Sequence, residues 1–124
     1  MRRHSIAAAL AATALLAGGV PAMAQGHGQS CFYPNQWTSW KAPDDHTIFL
    51  KVGARIFRLD VGGSCQGLLT GGTLITHSQS SQFCSAIDWD LRVRNGDITT
   101  ACIVTGMSQL TPDQAAALPA NARP

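Results

Sequence analysis

The sequence contains no glutamate and one tyrosine, and only 13% of its residues are charged. It has no acidic tract and no basic run, so it lacks the electrostatic footprint of a protein that binds nucleic acid or anionic lipid. The formal charge of +2 owes much to Arg2 and Arg3; the remaining chain sets seven Lys and Arg against seven Asp. No apolar run approaches the roughly twenty residues that a membrane-spanning helix requires. The clearest, at 6–16, is eleven residues long with Thr13 inside it, which argues against a permanent membrane anchor. Metal-binding cysteines normally come in close pairs such as C-x-x-C, and none is present. Neither a G-x-S-x-G elbow nor a G-K-[ST] phosphate loop occurs. Internal repeats and interdomain linkers are absent as well.

What is present begins with a secretory pattern. Arg2, Arg3 and His4 precede the apolar run, Gly18, Gly19 and Pro21 break it, and Ala22-Met23-Ala24 forms an A-x-A cleavage site. These are the three parts of a signal peptide over 1–24. The Arg pair is read as an ordinary basic n-region. Cleavage after Ala24 leaves a chain of about one hundred residues, enough for one domain, destined for the periplasm or for secretion. A glycine-rich arm at 25–30, a β domain at 31–110 and a helix and tail at 111–124 follow.

All four cysteines, Cys31, Cys65, Cys84 and Cys102, lie in that domain at intervals of 34, 19 and 18 positions. An even count in a small exported domain reads as a disulfide framework. A core this small leaves a modest stability margin, to which each cross-link adds roughly 3 kcal/mol.

Alternation of apolar and polar residues predicts a mainly β domain. Ile48, Leu50 and Val52 alternate, as do Phe57, Leu59 and Val61, and the intervening Gly53-Ala54 suits a type II′ hairpin. That register sets Leu50 against Phe57 and Ile48 against Leu59. A second hairpin runs from Ile87, Trp89, Leu91 and Val93 to a return strand at 98–104. With Asn95-Gly96 as a type I′ turn, it sets Val93 against Ile98, Trp89 against Cys102 and Ile87 against Val104. Shorter strands are predicted at 37–42 and 73–76. Thr111, Pro112 and Asp113 open a C-terminal helix of about two turns, ended by Pro119. Phe49, Ile56, Ala101 and Ile103 lie on the second faces of the hairpins. Partial cover on both faces implies a small antiparallel sandwich or partly open barrel.

The same register places Cys102 five residues from Cys84, about 16 Å along a strand, too far for a disulfide. This disfavours Cys84–Cys102 and its complement Cys31–Cys65. Of the two connectivities left, Cys65–Cys84 with Cys31–Cys102 is favoured.

Several groups carry chemistry. His46 and His77, with Asp44, Asp45, Ser78, Ser80 and Ser81, supply the ingredients of a nucleophile–base–acid arrangement. Asp88 and Asp90 share a strand face with Arg92 and Arg94, the pattern of a solvated, charge-balanced surface. Trp37 and Trp40, three apart, point to opposite faces of a strand; partial core packing is the favoured reading, and a surface for a glycan or peptide is the alternative. Cleavage after Ala24 exposes Gln25-Gly26-His27. Its amine, two deprotonated amides and the third-position imidazole of His27 can surround Cu(II) or Ni(II) in a square plane, unless Gln25 cyclises.

Cys31, the run D-D-H-T-I at 44–48, R-L-D-V at 58–61, C-Q-G-L at 65–68, then Cys84 and Cys102 resemble a family of small exported proteobacterial proteins of unknown function. The sequence departs from that pattern after Cys84, where Asp88 comes late. The resemblance implies a shared cysteine framework and export, and supplies no catalytic residue. The leading expectation is an exported, non-catalytic module for an unidentified periplasmic protein or small ligand, with no cofactor. Copper binding at His27 and a small hydrolase using His46 or His77 are the alternatives.

Overall fold

The computed structural model describes residues 30–124. The expected signal peptide at 1–24 and nearly all of the expected arm at 25–30, including Gln25-Gly26-His27, lie outside the described residues. Six antiparallel strands form one sheet, β1 Trp37–Lys41, β2 Thr47–Val52, β3 Arg55–Gly62, β4 Thr73–Ser78, β5 Trp89–Asn95 and β6 Ile98–Gln109. Their order is β1-β2-β3-β6-β5-β4, and the sheet curls into a half-barrel, the partly open barrel rather than the sandwich.

The first hairpin forms in the register that the alternation predicts, with Leu50 opposite Phe57 and Ile48 opposite Leu59. Its loop turns on Gly53, whose φ of 60° lies in a region that L side chains avoid. Ile48, Leu50, Phe57 and Leu59 are almost wholly removed from solvent. Phe49, on the opposite face of β2, is also buried.

The second hairpin forms two residues out of the predicted register. Asn95 pairs with Ile98, Val93 with Thr100 and Leu91 with Cys102. The loop is therefore Gly96-Asp97, with positive φ at Gly96 alone, the type II′ pattern with glycine first. A two-residue shift preserves which side chains face inward, so Leu91, Val93 and Cys102 still enter the core. Ile98 does not, being 71% exposed beside the turn. Ile87 belongs to no strand; it sits in a 3-10 turn at Ala86–Asp88.

Strand β6 is longer than predicted because it serves two partners. Residues 98–102 pair with β5, whereas 103–109 pair with β3. Asp60 pairs with Gly106 and Val61 with Val104, which leaves Thr105 unmatched. Such a bulge bends a strand and changes the parity of its side chains. The Thr105 hydroxyl donates to the Asp60 carbonyl at 3.2 Å.

An aromatic group fills the concave side. Phe32 lies 4.8 Å from Phe57, 5.5 Å from Phe83 and 6.1 Å from Trp89, while Phe83 stacks on Trp89 at 3.8 Å. Phe32 and Phe83 also exchange both backbone hydrogen bonds, at 3.0 and 2.8 Å. The next residues outward, Cys31 and Cys84, are thereby set face to face with Cα atoms 4.2 Å apart and form one disulfide. Cys65 and Cys102 form the other across a Cα separation of 5.4 Å. The favoured pairs Cys65–Cys84 and Cys31–Cys102 are thus corrected. The Phe32–Phe83 bridge, which brings two segments distant in sequence together, decides the pairing.

The C-terminal helix α1, Pro112–Ala116, is shorter than two turns. Thr111 and Gln114 form a reciprocal capping box, which satisfies two otherwise unpaired amides. Arg123 closes the other end by donating to the Leu118 and Ala116 carbonyls at 2.7 and 3.1 Å.

Candidate functional site

His46 sits in the turn entering β2. Its backbone N–H donates to the Asp44 carboxylate at 2.8 Å, and this bond is the main reason that the Asp44 pKa falls below the ordinary carboxylate value. The imidazole Nε2 lies 3.1 Å from Asp45, and the Ser64 hydroxyl donates to the other oxygen of the same carboxylate at 2.8 Å. Asp45 therefore stands between imidazole and hydroxyl. In a nucleophile–base–acid arrangement the histidine occupies the middle place and takes the hydroxyl proton. The connection here instead ties the β2 turn to the loop after β3, as does the bond from the Cys65 amide to the Asp45 carbonyl.

His77 lies exposed on edge strand β4, opposite Asp90. Ser78 and Ser80 both donate to the Gln82 carbonyl, at 2.8 and 2.6 Å, and so shape their own loop. His46, in the turn before β2, and His77, on β4, belong to separate parts of the sheet.

Asp88 and Asp90 do not share a strand face. Asp88 closes the 3-10 turn, its carboxylate accepting from the Cys84 and Ser85 amides at 2.8 and 2.9 Å. The Cys84 bond, then the Ser85 bond, draws its pKa below the ordinary value. Asp90 instead pairs with Arg92 at 3.2 Å on the surface.

Trp37 and Trp40 likewise depart from expectation. Trp37 pairs with Val52 and Trp40 with Leu50, with a register shift at Thr38. The shift places both indoles on the concave side, where both are partly buried against the core. The expected opposite-face placement is therefore corrected, and the expected partial core packing is what both indoles show.

A groove that the sequence reading did not foresee opens where β5 and β6 part. Beyond Leu91 and Cys102 the strands no longer pair, since β6 turns toward β3. Ala86 and Ile87 line the space together with Trp89, Asp90, Leu91, Ala101, Cys102, Ile103 and Val104, and it encloses about 330 Å3. That is near the lower end for small-molecule sites. Two of its apolar side chains project into solvent, Ile87 at 83% and Ile103 at 72% exposure. The missed signal was Ser85-Ala86-Ile87-Asp88, an S-x-x-D capping pattern that starts a turn where alternation had suggested a strand.

Among the described residues no group of three or more His, Cys, Asp or Glu side chains is placed to hold a metal. None of their helices is long and apolar enough to cross a membrane.

These features define a disulfide-stapled half-barrel with an apolar groove. The chain belongs to the family of unknown function DUF6491, whose profile matches residues 1–124. No curated protein and no solved structure matches it.

Proposed function

We propose that the protein is an exported, non-catalytic interaction module whose β5–β6 groove receives an apolar group of a periplasmic protein or small ligand. The observation that carries this reading is the pair of exposed isoleucines, Ile87 and Ile103, lining a groove where two strands separate. Exposed aliphatic side chains beside a concavity mark binding surfaces when they cluster. Export is supported by the signal-like segment at 1–24 and by the pairing of all four cysteines, which suits an oxidising compartment.

Titration with the apolar fluorophore anilinonaphthalene sulfonate tests the groove. Ile103→Asp is expected to abolish most of the fluorescence gain, and Ile98→Asp to leave it intact. Ile98 is as exposed as Ile103 but does not line the groove. Equal loss or equal retention in the two variants, at matched thermal stability, contradicts the reading. Mass measurement of the periplasmic fraction tests export: the chain should begin at Gln25, and a cytoplasmic chain beginning at Met1 contradicts it.

A further inference from the structure

The two disulfides occupy different surroundings. Cys65 and Cys102 are buried, at 1% and 7% exposure, whereas Cys31 and Cys84 are both partly exposed. Thiol–disulfide exchange requires a thiolate to reach a sulfur in line with the bond, so access separates the two. The accessible bond also has a defined mechanical position. It joins the segment 30–36, which places Phe32 over Phe57, Phe83 and Trp89, to the loop that leads into the Ala86–Asp88 turn. Beside it, Phe32 and Phe83 form a backbone bridge between the two segments.

We propose that Cys31–Cys84 is a thiol-exchange site and acts as a latch holding segment 30–36 against the aromatic core, with a dithiol as the reacting partner. One thiolate of the dithiol attacks a sulfur of the pair. The Cys31–Cys84 bond breaks, a mixed disulfide forms, and the departing sulfur takes a proton. The second thiol of the partner then displaces the other cysteine. The partner leaves as a disulfide, having given two electrons and two hydrogens to Cys31 and Cys84. Cys65–Cys102 stays closed and keeps the half-barrel assembled, while segment 30–36 is released from the core. This proposal does not depend on the groove reading.

Graded dithiothreitol treatment of the oxidised protein, followed by alkylation and peptide mapping, tests it. Cys31 and Cys84 should be labelled about tenfold faster than Cys65 and Cys102. Release of all four together, or of Cys65 and Cys102 first, overturns the proposal. In the two-thiol form, the Phe32 and Phe83 amides should exchange hydrogen about tenfold faster than in the oxidised protein. Protection unchanged at both amides overturns the latch even if labelling is selective.

Discussion

The two hairpins are built alike at their turns and differ in how far their strands pair. Each closes on a two-residue loop with a left-handed glycine first, Gly53 in one and Gly96 in the other. The β2–β3 hairpin then pairs without interruption from Thr47 to Val52. The β5–β6 hairpin pairs only as far as Leu91 and Cys102 before β6 changes partner. The first has buried residues on both faces, with Phe49 opposite Ile48 and Leu50; the second leaves Ile98 and Ile103 in water. Uniform pairing produces a rigid wall, and divided pairing produces a groove.

The largest expected effect comes from removing what ties the halves together. Cys65 follows the first hairpin and Cys102 lies in the second, closing a separation of 37 residues. Replacing both with alanine should cost about 4 kcal/mol in urea unfolding. A loss under about 1 kcal/mol would show that the hairpins hold together without the cross-link. Next is packing. Leu59→Ala, in the first hairpin at 0% exposure, should cost about 3 kcal/mol, whereas Ile103→Ala in the second should stay within about 0.5 kcal/mol. Similar costs at both positions would erase the contrast between wall and groove.

The turns should behave equally. A Cβ at Gly53 or Gly96 meets nothing within 4 Å, so Gly53→Ala and Gly96→Ala each pay only for the left-handed backbone, about 1 kcal/mol. A cost at Gly53 alone would contradict the left-handed backbone at Gly96. The smallest effect concerns Asp88, whose pKa is lowered by the Cys84 and Ser85 amides. A depressed carboxylate stabilises the fold above its unfolded pKa, and that contribution is lost as pH falls through the folded value. Asp88→Asn should therefore be less stable than the parent at pH 7, the gap closing below about pH 4. A gap independent of pH would assign the effect to shape rather than charge.

The contrast also explains what could be read from sequence. Alternation and Gly53-Ala54 agree in the first hairpin, so both register and core were legible. In the second, Asn95-Gly96 and Gly96-Asp97 are both acceptable turn pairs. They differ by two in register and keep the same residues inward, so side-chain pattern alone does not distinguish them. The Thr111 cap announced its helix because every signal it uses is local. The bulges at Thr38 and Thr105 are not local in this sense: each depends on which neighbour a strand finds, and each moved a prediction, one for Trp37 and Trp40 and one for the end of β6. The disulfide pairing was hidden for the same reason, since it follows from the contact of Phe32 with Phe83 across about fifty residues of chain. The groove arises from these same long-range choices, so the sequence offers Trp37 and Trp40 as binding-surface candidates and leaves Ile87 and Ile103 unmarked.

Amide chemical-shift mapping during titration with anilinonaphthalene sulfonate addresses the division of labour between the hairpins most directly. Shifts concentrated at Ile87, Trp89, Ala101 and Ile103, with Phe49, Lys51 and Arg58 unmoved, are the predicted result. Shifts centred on β2 and β3, or spread evenly over both hairpins, would contradict it.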